Sequence, residues 1–324
     1  MTKTAFIFPG QGSQYVGMGQ ALASASPAAA AVFAAADAAL GSPISRLAWD
    51  DPEKQLDLTE NAQPALLATS IAYLEALKER WAAEGRPSRA PAYMAGHSMG
   101  QYSAMVAAGV LSLADGLRLV RERGRQMQAS GEGRGGGMAA IIGLDDAALP
   151  ELVARASVAG TFGVANRNAP GQVVVSGERA AIEAGAEIAR ALGARRAIVL
   201  PVSVAAHSPL MAGAAVAMRA ILADIPFADP TTSLLANADA RVITSGPDAR
   251  AELIEHLTTG VDWVRAIEVM AAEGVDTFIE VGPGRVLTGL TKRIAPDARA
   301  LSTDDPNSPG SLAVPDLEPV QRNA

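Results

Sequence analysis

Gly96-His97-Ser98-Met99-Gly100 is a G-x-S-x-G between a brief apolar run, Ala92–Ala95, and helix-like sequence from Met99 to Ala108. A serine hydroxyl becomes a useful nucleophile when a sharp turn lifts it clear of the backbone and a base takes its proton. Glycines on both sides permit such a strand-to-helix turn, and the helix N-terminus aims backbone N–H groups at a developing oxyanion. The simpler alternative is a serine that only caps its helix. The strand–turn–helix setting favours the nucleophile.

The base must come from three histidines, at 97, 207 and 256. His97 adjoins the serine and on a sharp elbow projects away from the reacting face, which reads as a satisfied buried histidine. His207 follows the strand-like Ile198–Val204 and precedes helix-like sequence at Pro209, placing it at a strand's carboxyl end, where sites of α/β sheets collect. His256 falls near the end of a predicted helix, Arg250–Leu257. Elimination favours His207, though periodicity does not decide it.

Phe8–Gln14 (FPGQGSQ) also follows a strand and opens a helix. Gly10 and Gly12 lack the third glycine of a dinucleotide fingerprint, and no G-x-x-x-x-G-K-[ST] is present. Gln11, flanked by glycines, offers a backbone N–H to an oxyanion hole or belongs to an ordinary βα turn. Arg123, three residues after Val120 and four before Met127, borders the apolar face of its helix, where a cation snorkels to water or meets a carboxylate. Arg121, four after Leu117, is equally placed, and spacing does not choose between them. Arg195-Arg196 is a solvated pair or part of a docking patch. There is no H-E-x-x-H and no His–carboxylate cluster, so no metal is expected.

The elements that must hold these residues alternate in type. Strands are expected at Thr4–Phe8, Ala92–Ala95, Thr232–Ala236 and Thr277–Val281, with helices through Leu40, over Gln63–Trp81, Met99–Ala108, Ser112–Gln128, Pro209–Ile225, Arg250–Leu257 and Val261–Glu273. This is an α/β layer architecture around a mostly parallel sheet. Gly131–Gly137 breaks the pattern as a hinge or loop. Beyond it come a strand (Met138–Gly143), a helix (Ala147–Arg155), strands Gly160–Ala165 and Gln172–Ser176, a helix (Arg179–Leu192) and a strand (Arg196–Leu200). That order, βαββαβ, is a ferredoxin-like unit. The division expected is a catalytic core from 1–130 and 201–295, an inserted subdomain at 131–200, and a loosely attached tail at 296–324, where Asp, Pro, Ser and Asn dominate.

Composition narrows the classes. Of 324 residues 49% are hydrophobic and 19% charged, enough for a sizeable core. A balance of 27 basic against 34 acidic side chains argues against a nucleic-acid or membrane-surface protein. The absence of cysteine removes disulfides, thiolate metal sites and Cys nucleophiles. The N-terminus lacks a secretory signal, and no run approaches the roughly 20 apolar residues of a membrane span, so a cytoplasmic location is expected.

Taken together, the markers FPGQGSQ (Phe8–Gln14), NAQPALL (Asn61–Leu67), GHSMGQYSA (Gly96–Ala104), Arg123-Gly124, NAPGQVVVSG (Asn168–Gly177), VSVAAHSPLM (Val202–Met211) and EVGPGRVLTGL (Glu280–Leu290) resemble, in the same order, those of the malonyl-CoA:acyl carrier protein transacylases of bacterial fatty-acid and polyketide synthesis. The resemblance spans roughly residues 4–295. It implies an α/β-hydrolase-like core with an inserted ferredoxin-like subdomain, Ser98 as nucleophile and His207 as general base. Gln11 and Met99 would supply the oxyanion-hole N–H groups, and Arg123 would grip the malonyl carboxylate, which settles the choice against Arg121. The partners implied are malonyl-CoA and holo acyl carrier protein in a ping-pong scheme, with no cofactor beyond the pantetheine thioesters. An acyl hydrolase of the same fold and a non-catalytic scaffold are the other readings; Arg123 speaks for a transferase.

Three positions depart from the family. Gln101 stands where relatives usually have Glu and is expected to alter packing more than chemistry. His256 replaces a Gln whose backbone carbonyl orients the catalytic histidine, and a carbonyl survives a side-chain change. Ala206, before His207, is small; in related polyketide enzymes bulk there helps exclude α-substituted malonyl groups, so malonyl over methylmalonyl is the expected preference.

Overall fold

The structure, a computed structural model, describes residues 3–85, 90–131, 135–202 and 204–304. Its first strand explains why the chain opens on an unbroken apolar run. In β1 (Thr4–Phe8), Ala5 and Ile7 face one hydrophobic cluster and Phe6 and Phe8 another. A strand with helices on both faces must be apolar at every position, the mark of a buried parallel sheet. β1 lies between β2 (Tyr93–Gly96) and a late strand, Thr277–Glu280, and pairs in parallel with both.

Numbered along the chain, the remaining strands are β3 (Gly136–Ile142), β4 (Phe162–Ala169), β5 (Gln172–Glu178), β6 (Arg196–Val199), β7 (Ser233–Leu235), β8 (Val242–Ile243), β9 (Val261–Asp262), β10 (Thr277–Glu280) and β11 (Arg299–Ser302). The main sheet runs β11-β10-β1-β2-β7-β8, parallel except for the antiparallel β7–β8 pair. Its carboxyl ends, at Phe8, Gly96 and Leu235, point the following loops to one edge.

The second sheet runs β6-β3-β5-β4-β9. Its first four strands have the order of a ferredoxin-like unit, with helices Leu149–Ala156 and Arg179–Ala191 packed on a hydrophobic cluster of their own. The fold class is therefore the one expected, mixed α/β with a parallel core sheet and a ferredoxin-like βαββαβ segment.

Several elements differ from expectation. Val261 and Asp262 form β9, a parallel neighbour of β4, and the helix expected from Val261 begins at Trp263, where Asp262 accepts the N–H of Arg265 as its cap. Residues of the main chain body thus extend the second sheet. The expectation of a loose tail from 296 is corrected over Arg299–Asp304. β11 adds an edge to the main sheet, and Asp304 is buried, accepting from the hydroxyls of Tyr15 and Tyr73 and the N–H of Gly284. A four-residue edge strand carries too little apolar period to be read ahead of its partner. The rest of the tail, 305–324, lies outside the described residues, as does part of the Gly131–Gly137 segment. Among the described residues no helix is long and apolar enough to cross a membrane.

Candidate active site

Ser98 stands where β2 turns into the helix Gly100–Ala107, with φ +53°. A left-handed backbone on a non-glycine residue costs about 1–3 kcal/mol and persists where its surroundings enforce it. The enforcement here is steric. A Cβ on Gly96 would lie 2.0 Å from the carbonyl carbon of Gly100, and one on Gly100 would lie 2.2 Å from the carbonyl oxygen of Phe8. Only glycines let the turn close and sit against the end of β1. The Ser98 N–H donates to Asn237 Oδ1 at 2.9 Å, tying the elbow to the loop after β7.

Behind the turn, Gln101 is fully buried and uses both ends of its amide. Its Oε1 accepts the Gly96 N–H at 3.1 Å and its Nε2 donates to the Leu235 carbonyl at 2.9 Å. The residue does more than pack: it ties the end of β2 to that of β7, and an ionised carboxylate could not make the second bond.

His207, also at positive φ (+58°), meets the serine: Ser98 Oγ lies 2.8 Å from His207 Nε2. Its Nδ1–H donates to the carbonyl of His256 at 2.6 Å, with the Thr259 carbonyl 3.2 Å away. Those carbonyls fix the tautomer, so Nε2 carries the lone pair that a base needs. Burial, and then the nearby Arg123 cation, push the imidazole pKa down to about 3, so His207 is neutral at physiological pH. His97 points elsewhere, as expected. Its Nε2 is 2.8 Å from Asn168 Oδ1 and its ring packs edge-on against Trp263.

Arg123 is brought in by helix–helix contact. A Cβ on Gly124 would lie 2.6 Å from Glu60 Cα, so the helix Leu113–Gly131 can touch the first turn of Thr59–Ala83 only because residue 124 is glycine. That contact sets Arg123 beside Gln63. The guanidinium is 1% exposed; Nη1 donates to Gln63 Oε1 at 2.9 Å, and Nη2 reaches Ser98 Oγ at 3.2 Å and His256 Nε2 at 3.3 Å. Its Nε is buried with no hydrogen-bond partner among the described residues. The Tyr102 ring lies 5.9 Å from Cζ, and burial pushes that phenol up to about 12, so it stays neutral. Arg121 instead bonds Ser42 Oγ at 2.8 Å on another side of the molecule.

Gln11 and Met99 flank the serine from two loops. The turn after β1 lies against the elbow, with the His97 N–H donating to the Phe8 carbonyl at 3.0 Å. Met99 precedes the helix, and the N–H groups of Gly100 and Gln101 already donate to His97 and Ser98 carbonyls, leaving the Met99 N–H free of any partner among the described residues. The Gln11 N–H is likewise without one, while its side chain reaches Thr59 Oγ1 at 3.4 Å. Beside them opens a cleft of about 690 Å³ between the two sheets, lined by Gln11, Ser98, Arg123 and His207 on one side and Met138, Asn168 and Leu200 on the other. Ala206 lines it too.

Gln63, Asn237 and Glu252 also serve the site, although no motif in the sequence assigns them a role in it. Asn237 is a buried polar residue directly after the apolar end of β7, a signal that was readable. Glu252 holds the Asn237 N–H at 2.7 Å through its side chain and His256 Nδ1–H at 2.9 Å through its carbonyl; burial pushes its carboxyl up to about 7. No local pattern announces a residue that works through two others.

Residues 5–303 match the acyl transferase domain family. The chain is 44% identical over 308 residues to the malonyl CoA-acyl carrier protein transacylase of Escherichia coli (strain K12), covering 95% of this chain and 98% of that protein. The solved acyl carrier protein S-malonyltransferase of Vibrio cholerae superposes with a TM-score of 0.89 at 40% identity, over 95% of this chain and 98% of that one. A type II PKS acyl-carrier protein in complex with its malonyl-transacylase gives 0.86 at 40% identity, over 93% and 94%. Motif order, elbow geometry and full-length similarity agree, and the chain belongs to the malonyl CoA-acyl carrier protein transacylase family.

Proposed function

We propose that this chain moves a malonyl group from malonyl-CoA to the phosphopantetheine thiol of holo acyl carrier protein, through a malonyl ester on Ser98. The observation that carries the reading is Arg123, a buried cation 3.2 Å from the nucleophile whose hydrogen-bond acceptors are all neutral. A guanidinium so placed lacks the anion that would repay its desolvation. A carboxylate one methylene from a thioester carbonyl supplies it, and an acetyl group does not.

In the first half-reaction Ser98 Oγ attacks the thioester carbon as His207 Nε2 takes its proton. The imidazolium formed is stabilised through Nδ1–H by the His256 carbonyl. The oxyanion turns toward the N–H groups of Gln11 and Met99, each contributing on the order of 3 kcal/mol. Collapse expels the CoA sulfur, which leaves with the proton from His207. The carrier's thiol then repeats the sequence in reverse and carries the malonyl group away. The substrate carboxylate has a second effect. By offsetting the charge of Arg123 it weakens one of the two main causes that hold His207 low, so the base strengthens when the acyl group bears an anion.

Residues 131–200 act in this reading as a subdomain closing one wall of the cleft, and the reaction runs in the cytoplasm. Arg195 and Arg196, both exposed, are available to an acidic carrier. The names borne by the relatives support the substrate pair. The test is intact-protein mass after brief incubation with malonyl-CoA, then with holo carrier protein. A malonyl adduct absent from Ser98→Ala that chases onto the carrier is expected. An adduct lost to water equally fast without carrier would make the enzyme a hydrolase, and no adduct at all would remove the reading.

A further inference from the structure

His256 enters the site twice. Its backbone carbonyl accepts His207 Nδ1–H at 2.6 Å, and its side-chain Nε2 lies 3.3 Å from Arg123 Nη2. The ring is fully buried, with Nδ1 2.9 Å from the Glu252 carbonyl one helical turn back. A carbonyl can only accept, so the proton sits on Nδ1 and Nε2 presents a lone pair to the guanidinium. Tyr102 meets the ring edge-on at 6.1 Å between centroids and the His207 ring lies at 6.0 Å, so rings flank the imidazole on two sides.

We propose that the imidazole of His256 is a positioning and specificity-determining group: a neutral acceptor that, with Gln63, aims the Arg123 fork at the acyl carboxylate while the same residue's carbonyl aims the base. The inference rests on the malonyl-transfer reading above. The donor arithmetic supports it. A guanidinium has five N–H groups. Gln63 takes one on Nη1 and His256 one on Nη2. That leaves one N–H on each terminal nitrogen for the two oxygens of a carboxylate, the Nη2 one resting on Ser98 Oγ until substrate arrives. Without the Nε2 acceptor, Nη2 is held from the serine side alone, and the cation is free to turn toward the nucleophile. Burial, followed by the charge of Arg123, holds the His256 pKa well below its ordinary value, which keeps that acceptor available.

The test separates side chain from carbonyl. His256→Leu keeps the carbonyl and removes the acceptor; His256→Gln keeps an acceptor. KM for malonyl-CoA is expected to rise about 10- to 100-fold in the Leu variant with a smaller change in kcat, and the ratio of malonyl to acetyl acylation of Ser98 to fall by a similar factor. The Gln variant should restore most of both. A folded Leu variant with wild-type KM and selectivity would overturn the proposal. Nitrogen-15 NMR of the histidine rings in the wild-type protein decides independently of any folding defect. Two rings protonated on Nδ1, His207 and His256, and one on Nε2, His97, are expected, with assignments from His97→Gln and His207→Gln. A proton on Nε2 of His256 at neutral pH would equally overturn it. If the wild-type enzyme formed no malonyl adduct, the functional reading would fail while the tautomer result stood.

Discussion

Two arginines show how differently a cation can be used. Arg167, half-buried on β4, lies between Asp146 at 2.9 Å and Asp262 at 3.0 Å, and its neighbours raise its pKa. It ties β4 to its neighbour β9 and to the turn after β3, and its own charge is fully answered within the protein. Arg123 is far more deeply buried, has only neutral acceptors, and burial lowers its pKa. One is complete within the protein; on the proposed function the other is completed by the substrate carboxylate. The charge a fold leaves unmatched marks its binding chemistry better than the charge it pairs.

The sharpest way to break this contrast is Arg123→Ala. Malonyl transfer should fall about 10²- to 10³-fold in kcat/KM, with acetyl transfer falling far less. Parallel kinetics with the two thioesters decide it, and equal losses would remove the clamp assignment. Glu280 is the anionic mirror of Arg123, buried and held by the N–H groups of Leu287 and Thr288 at 3.0 and 2.7 Å. Burial pushes its carboxyl up to about 7. Because the folded pKa is raised, its contribution to stability is fully present below the unfolded value and is lost as pH rises through about 7. Denaturant unfolding at pH 5 and pH 8 should therefore show stability falling toward pH 8, and Glu280→Gln should remove on the order of 2 kcal/mol of that difference. An unchanged slope would contradict the assignment.

Arg123→Met should give a protein impaired in malonyl transfer yet about 1 kcal/mol more stable than wild type, since an unpaired buried cation is exchanged for apolar volume. A clear fall in Tm by calorimetry would mean that Gln63 and His256 already compensate the charge. Arg167→Ala gives the smallest effect: a loss of about 1 kcal/mol, shrinking in high salt, with malonyl kcat/KM within about twofold. A large kinetic loss there would erase the distinction between the two cations.

Much of the fold and the site's central pair was legible because the signals are local. Ala5–Phe8 is apolar at every position since both faces are covered, and the elbow glycines flank Ser98 in sequence as in space. Elimination among three histidines pointed to the one whose Nε2 meets Ser98. The choice between Arg121 and Arg123 was not legible from spacing, because both border the apolar stripe. What separates them is the contact of Gly124 with Glu60, a meeting of two helices. β9 and β11 escaped for the same reason: Val261 and Arg299 become strand residues only beside partners some ninety and twenty positions earlier. The second role of His256 also depends on tertiary placement, since Arg123 lies 133 residues away.

The place of β1 in the sheet also governs how this enzyme comes into being. Its strand is made first, yet one of its two neighbours, β10, starts at residue 277, and the buried Asp304 that closes the loop after β1 comes later still. During synthesis the Gln11 loop hangs from a strand with one open edge until residues 277–280 have left the ribosome. Such long-range pairing folds slowly and exposes an apolar edge meanwhile. A nascent chain stopped before β10 holds Ser98, Arg123 and His207 with β1, β2 and β7, but β1, whose loop carries Gln11, still has one edge unpaired, so full activity should appear only once β10 and β11 are made.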